Sequence, residues 1–247
     1  MLQKANDKNG VFTGLRVAVT GGTSGLGLAL VQELIDRGAR VAFVARGRER
    51  VERIARLTGA HGVVGDVSQK TDIHPIAFQV LSLLGGLDAL INNASDLGPV
   101  PLALLADTDC EDFERAIDTN VLGPFRLTKA LLGSLAASAR EGRGAVVLNV
   151  SSDAALNAYP RWGAYSASKA ALHHMTRIWN EELANTGVAF LSLDPSDMDT
   201  PMHAAAVPDG DRSGLKRPEI AAAELVDATG NLLASRNSAW APDEVHR

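Results

Sequence analysis

The chain has 247 residues, 46% hydrophobic and 21% charged, with a formal net charge of −5 and a single cysteine. At this length roughly 70–75% of the unfolded surface can be buried, so neither a metal nor a disulfide is needed to hold a core, and Cys110 alone supplies neither. The composition excludes disorder, the acidic balance argues against a nucleic-acid face, and no run of about 18 uncharged apolar residues offers a membrane span. Met1 to Gly10 lacks the apolar segment of a secretory signal, so a cytoplasmic protein is expected.

In chain order, short apolar runs alternate with helix-period segments. Leu15–Thr20 reads as a buried strand, and Gly25–Arg37 sets Leu26, Leu30, Leu34 and Ile35 on one stripe that Gly38 ends. Ala39–Ala45, His61–Val67, Leu87–Asn92, Gly144–Val150 and Val188–Leu193 read as the second to sixth strands. Arg48–Leu57, Asp112–Ala139, Ala164–Asn185 and about 218–234 read as helices. Runs apolar throughout, separated by amphipathic helices, signify parallel strands buried on both faces. The expected fold is therefore α/β, a single-domain Rossmann-type doubly wound parallel sheet flanked by helices. Right-handed crossovers bring the strand C-terminal ends to one edge.

The expected domain covers 14–234, between an N-terminal tail at 1–13 and a C-terminal tail at 235–247. Irregular stretches fall at 95–102, 198–217 and the end of the chain. The stretch 198–217, with Pro201, Pro208, Gly210 and Gly214, is expected to be a substrate lid.

Between the first strand and first helix stands Thr20-Gly21-Gly22-Thr23-Ser24-Gly25-Leu26-Gly27. Glycines suit a tight turn that a pyrophosphate must approach, while the helix N-terminus supplies N–H groups and partial positive charge. The spacing is Gly-x-x-x-Gly-x-Gly, not the Gly-x-Gly-x-x-Gly of the common dinucleotide fingerprint. About twenty residues on, where an acid would bind a ribose 2′-hydroxyl, the chain has Ala45 and Arg46. An arginine pairs with a 2′-phosphate, so NADP(H) is preferred over NAD(H), the alternative being a solvated cation at a strand end. Arg48 is a helper or helix-surface charge.

Tyr165 and Lys169 are four apart at the start of a long helix, and so share one face. At an effective dielectric near 20, charges about 5 Å apart interact by about 3 kcal/mol, roughly two pKa units, enough to draw a tyrosine from about 10 toward 8. Such a phenol exchanges a proton near neutral pH. Tyr159 has Gly163 at the same offset and lacks that partner. Ser152 ends the fifth strand's Asn149-Val150-Ser151-Ser152, where its hydroxyl can meet a substrate oxygen or form a turn. Asn120, a poor helix former in mid-helix, predicts a local distortion or a buried hydrogen bond.

Thr-Gly-x-x-x-Gly-x-Gly at 20–27, Asp66-Val67, Asn-Asn-Ala at 92–94, Asn120, Ser152, Tyr165 and Lys169 stand in the order and spacing of the short-chain dehydrogenase/reductase family. The chain resembles that family across about residues 14–202. The resemblance implies an oxidoreductase interconverting a small-molecule carbonyl and an alcohol, without metal, as a homodimer or homotetramer. It implies Tyr165 as acid/base, Lys169 as modifier of its pKa and ligand of the nicotinamide ribose, Ser152 as orienter of the reacting oxygen, and Asn120 as anchor of a proton-relay water. Cofactor contacts are expected from Gly21, Thr23, Ser24, Gly25, Leu26, Gly27, Arg46, Asp66, Val67, Asn93, Ala94, Tyr165, Lys169, Pro195 and Thr200, with Asp66 beside adenine and Thr200 at the carboxamide.

Ser95 and Ser196 stand where the family usually has glycine, which bears on the backbone path more than on the chemistry. After the last helix no seventh strand is evident. A catalytically silent nucleotide-binding or regulatory protein on the same fold is the alternative, although it would be expected to lose Tyr, Lys or Ser. A nucleotide-sugar epimerase shares Tyr and Lys but needs more chain after Pro195. Asp153, Asn157, Tyr159, Trp162 and His203 fall where they can line a pocket or simply pack, and the sequence assigns them no role.

Overall fold

The computed structural model describes residues 10–239. Its strands are β1 Arg16–Thr20, β2 Arg40–Ala45, β3 His61–Val64, β4 Ala89–Asn92, β5 Ala145–Val150 and β6 Val188–Leu193. The helices are α1 Gly25–Asp36, α2 Arg48–Thr58, α3 Ile73–Leu84, α4 Cys110–Ile117, α5 Gly123–Arg140, α6 Gly163–Glu182, α7 Pro201–Ala206 and α8 Pro218–Ala239. Local chemistry sets several boundaries: α2 and α3 end at Gly59 and Gly85, whose φ angles of +76° and +73° reverse the chain at little cost.

All strand pairings are parallel, in the order β3-β2-β1-β4-β5-β6. Val17 and Val19 of β1 face α1 and α8 in one core, which also takes Phe43, Ile91 and Leu148; Ala18 faces the other, filled by Ile76, Val80, Leu127 and Leu131 of α3 and α5. This two-sided burial is why the strands are apolar throughout rather than alternating. The doubly wound Rossmann-type fold is thus as expected, and its order reverses between β1 and β4, where a crevice opens beyond the strand ends.

Three boundaries differ from the sequence reading in ways that matter for the site. β3 ends at Val64, so Gly65, Asp66 and Val67 leave the sheet at the crevice. The helix expected over 112–139 is α4, a wide π-helical turn at Asp118–Leu122, and α5. The stretch 198–217 contains the six-residue α7, begun by Pro201 with the Thr200 hydroxyl capping the His203 N–H at 3.2 Å.

At the opposite edge of the sheet, the fully buried Asp88 carboxylate accepts bonds from Arg16 (2.6 Å to Nη2, 2.7 Å to the backbone N), from Arg143 (3.1 Å) and from Ser138. Burial alone would push this carboxyl group's pKa up, but the two guanidinium groups hold it well below the usual carboxylate range. Phe12, within the expected N-terminal tail, is buried against Gly230 of α8, and α8 runs past 234 to Ala239; the rest of both tails lies outside the described residues. No helix among the described residues is long and apolar enough to cross a membrane.

Candidate active site

The glycine loop is built from inside the sheet outward. Gly21 leaves β1 at φ +72°, in the left-handed region that favours glycine. A Cβ at Gly27 would sit on the Gly21 carbonyl oxygen, so only glycine lets α1 start beneath the turn. The neighbouring strand end fixes the loop: Asn93 Nδ2 donates to the Thr20 carbonyl at 2.8 Å, while the backbone N–H groups of Asn93 and Ala94 both reach Thr20 Oγ1 at 3.0 Å. Ser24 at the N-cap makes no capping bond, which leaves the first-turn N–H groups of α1 for an anion in the cleft.

That cleft has a volume of about 720 Å³. Gly21, Thr23, Ser24, Gly25, Leu26 and Gly27 line it, as do Arg46, Asp66, Val67, Asn93, Ala94, Tyr165, Lys169, Pro195 and Thr200. The structure therefore brings every predicted cofactor position to one cavity. Arg46, Arg48 and Arg50 line it together, with Glu49 the one acid among them, and no ion pair among the described residues reaches Arg46. Asp66 accepts from the Ser68 N–H at 3.0 Å and from its hydroxyl at 2.8 Å, which turns the chain along the cleft wall. A cradle that a Cβ would fill, an uncapped helix N-terminus and these arginines together fit a pyrophosphate-bearing dinucleotide.

Tyr165 and Lys169 lie one turn apart on α6, both buried. Lys169 Nζ donates to the Val150 carbonyl at 2.8 Å and stands 5.5 Å from the centre of the Tyr165 ring. The tyrosine's pKa is not lowered as the pair alone leads one to expect. Burial pushes it up to about 12, with the Asp194 and Asp153 carboxylates adding to the rise and the nearby Ser152 and Ser95 hydroxyls opposing it. Burial also draws Lys169 down to about 8, partly offset by Asp194. The physical reason is that both groups share a low-dielectric pocket, so desolvation outweighs a cation whose ammonium is spent on a carbonyl.

Ser152 lines a second, adjoining chamber of about 320 Å³ together with Tyr165. Its hydroxyl donates to Asp153 at 3.1 Å and accepts from the Ala154 N–H at 3.2 Å. Asn120 lines neither cavity. Fully buried in the π-helical turn, it donates to the Asp96 carbonyl (2.7 Å) and to Ser168 Oγ (2.8 Å) and accepts from the Asp96 N–H (2.8 Å). Both the distortion and the buried bonds expected of a mid-helix asparagine are present. Deeper still, Asn92 donates to Asn149 Oδ1 at 2.8 Å and Asn149 to Thr176 Oγ1 at 2.9 Å, fastening β4, β5 and α6 to one another.

Ser196 keeps a left-handed backbone at φ +66°, the conformation for which glycine is suited, and its N–H is held by Asp194 Oδ1 at 2.9 Å. Ser95 has no such backbone demand, and its hydroxyl is buried without a partner of ordinary geometry. Sequence reasoning did not single out Ser168, Asp194 or Asp197, and it named Thr20 only as the first residue of the glycine motif. A signal existed for Asp194: it directly follows β6 and precedes Pro195, on the edge that carries the other site residues.

The sequence matches the short chain dehydrogenase family over residues 16–210. An uncharacterized oxidoreductase of Thermotoga maritima is 35% identical over 189 residues, covering 74% of this chain and 72% of the relative. One of Staphylococcus epidermidis is 31% identical over 213 residues, covering 85% and 89%. Among solved structures, 3-ketoacyl-(acyl-carrier-protein) reductase from Brucella melitensis complexed with NADH superposes with a TM-score of 0.81 at 27% identity, covering 92% of this chain and 93% of that one. A putative short chain dehydrogenase from Pseudomonas syringae gives 0.78 at 27% identity, with 90% of each chain covered. Sequence, sheet order and cleft agree: this chain belongs to the short-chain dehydrogenase family and is an NAD(P)-dependent oxidoreductase.

Proposed function

We propose that the enzyme interconverts a carbonyl and an alcohol on a small molecule with NADP(H), through Tyr165, Lys169 and Ser152, with Asn120 as a positioning residue. The observation that carries this reading is the place of Tyr165. Among the described residues it is the only ionisable side chain that lines both the dinucleotide cleft and the adjoining chamber. A proton held there can pass between the two.

Bound in the cleft, the nicotinamide supplies or accepts a hydride. With its pKa raised to about 12, Tyr165 carries its proton at neutral pH, the state required to protonate a carbonyl oxygen during reduction. Ser152 Oγ needs only to rotate from Asp153 to donate to that same oxygen as charge develops on it. Lys169 holds a positive charge beneath the phenol, oriented by the Val150 carbonyl. Asn120 has both amide hydrogens committed, and acts by tying the β4 loop to α6. In the dinucleotide cleft, the planar guanidinium of Arg46 suits bidentate pairing with a 2′-phosphate.

The catalytically silent alternative is not favoured, since Tyr165, Lys169 and Ser152 are all retained. The test is oxidation of NADPH and NADH by the full chain across a panel of aldehydes, ketones and oxoacyl thioesters. Consumption that depends on a carbonyl, faster with NADPH, is expected. No carbonyl-dependent consumption, or consumption as fast in Tyr165→Phe, overturns the reading.

A further inference from the structure

We infer that the substrate of this site carries a positive charge, as a small amine-bearing or quaternary-ammonium ketone or alcohol; the inference rests on the carbonyl–alcohol reading above. The chamber beside Tyr165 is walled by three carboxylates, Asp153, Asp194 and Asp197, and by the aromatic rings of Tyr159 and Trp162. Among the described residues no lysine or arginine lines it. None of the three carboxylates joins an ion pair among the described residues.

Hydrogen bonds do not neutralise this wall. Asp153 accepts from the Tyr159 hydroxyl at 2.6 Å and from Ser152, and Asp194 accepts from the Ser196 N–H, but all these donors are neutral. The lysine and arginine side chains of the site lie in the other cavity, at Arg46, Arg48, Arg50 and Lys169, and among the described residues His203 is the only basic side chain of the chamber. Lysine and arginine thus stand only in the dinucleotide cleft, mixed there with Glu49, Asp66 and Asp96, whereas the chamber beside it sets three carboxylates against a single histidine.

Two further features favour a cation. Trp162 stacks edge-on against Tyr165 with ring centres 5.7 Å apart, so an aromatic face stands beside the reacting phenol, where an ammonium group gains from cation–π attraction. Moreover, the fields of Asp194 and Asp153 reach the phenol and oppose its ionisation. A bound cation cancels that opposition, so a charged substrate relieves an electrostatic burden that a neutral one leaves in place. Phosphate-bearing acyl carriers meet the opposite field and are disfavoured.

Three six-membered-ring ketones of like size test this with the NADPH-loaded protein: 1,1-dimethyl-4-oxopiperidinium, neutral 4,4-dimethylcyclohexanone and anionic 4-oxocyclohexanecarboxylate. The expected kcat/KM for the cation exceeds that for the neutral isostere at least tenfold, with the anion lowest. Asp197→Asn and Asp194→Asn each reduce the cation-to-neutral ratio at least threefold; both keep the side-chain size, and the amide oxygen introduced by Asp194→Asn can still accept from the Ser196 N–H. Calorimetric titration with benzyltrimethylammonium reads the same wall without turnover, and its Kd is expected to rise at least threefold in either variant. A preference for the neutral or anionic ketone, or a Kd that neither variant changes, overturns the inference. If no ketone is reduced while the cation still binds in an aspartate-dependent way, the redox reading fails and the cation site stands.

Discussion

Lys169 Nζ lies 2.8 Å from the carbonyl oxygen of Val150, the last residue of β5, and this bond fixes the ammonium beneath the Tyr165 phenol. The bond separates two roles that a Tyr-x-x-x-Lys pair leaves merged. In the proposed mechanism Tyr165 carries the proton, whereas Lys169 supplies field and a cofactor contact. Tyr165→Phe is therefore expected to lower turnover by about 10²–10⁴-fold, the usual worth of general acid catalysis, with NADPH affinity nearly intact. Lys169→Ala is expected to damage both. Stopped-flow turnover and fluorescence titration of NADPH separate the two patterns, and a Phe variant retaining more than about a tenth of the rate contradicts the assignment.

The burial of the same lysine carries a pH dependence. Lys169 is drawn down to about 8, so its ammonium is present below that pH and lost above it. Tyr165, at about 12, stays protonated across the whole range. Carbonyl reduction is thus expected to hold steady below pH 8 and fall above it. The check is a kcat profile from about pH 6 to about pH 10, a span bracketing the lysine's transition, with a substrate of fixed charge; a rate that climbs through pH 8 goes against a role for the lysine's charge.

Arg46→Ala is expected to lower the NADPH-over-NADH preference by about 1–3 kcal/mol, the scale of a charge-assisted hydrogen bond to phosphate. The ratio of kcat/KM for the two cofactors measures it directly. Arg48 and Arg50 line the same cleft, so the double variant Arg46→Ala/Arg48→Ala shows how far the neighbours substitute. An unchanged ratio in both variants identifies Arg46 as surface charge.

Much of this architecture is written locally. Val188–Leu193 and the other strands are apolar runs too short for helices, and Gly21, Gly25 and Gly27 mark a turn that side chains would block. Asn120 betrayed a helix fault, because an amide in mid-helix competes with the backbone unless something buried engages it. What stayed hidden is set by partners distant in sequence. The high pKa of Tyr165 depends on burial, which no four-residue spacing reports. The acidic chamber unites Asp153 with Asp194 and Asp197, some forty residues later, through the pairing of β5 with β6. Phe12 joins the core only because α8 returns over it.

Asp88 predicts a stability effect at the edge remote from the site. Its folded pKa lies below the ordinary carboxylate value, so its contribution is complete above about pH 4 and is lost as pH falls toward the folded value. Asp88→Asn leaves Arg16 and Arg143 without their shared anion, but both guanidinium groups reach water, so the expected cost is about 1.5–3 kcal/mol, that of losing hydrogen bonds to a charged group. Urea unfolding near neutral pH reads the loss. Between about pH 5 and about pH 3, the melting temperature of the wild type should fall more steeply than that of the variant.

The segment 198–217 is proposed to act as a lid hinged at a zipped base. Met198 and Lys216 form a parallel bridge, with the Asp199 N–H donating to the Lys216 carbonyl at 3.0 Å and the Lys216 N–H to the Asp197 carbonyl at 3.0 Å. Arg212 and Asp199 add an exposed ion pair worth little in water. Beyond this base, Thr200 and Met202 border both cavities, whereas the stretch from Val207 to Ser213 is mostly exposed and buries little apolar surface. Such a segment opens at low free energy, and folding it down over the nicotinamide would exclude water from the reacting centre. Hydrogen exchange with and without NADPH tests this. Residues 200–215 are expected to gain protection on binding, while the amides of Asp199 and Lys216 are protected in both states; a gain confined to the glycine loop, with 200–215 unchanged, means that the segment is a static surface loop.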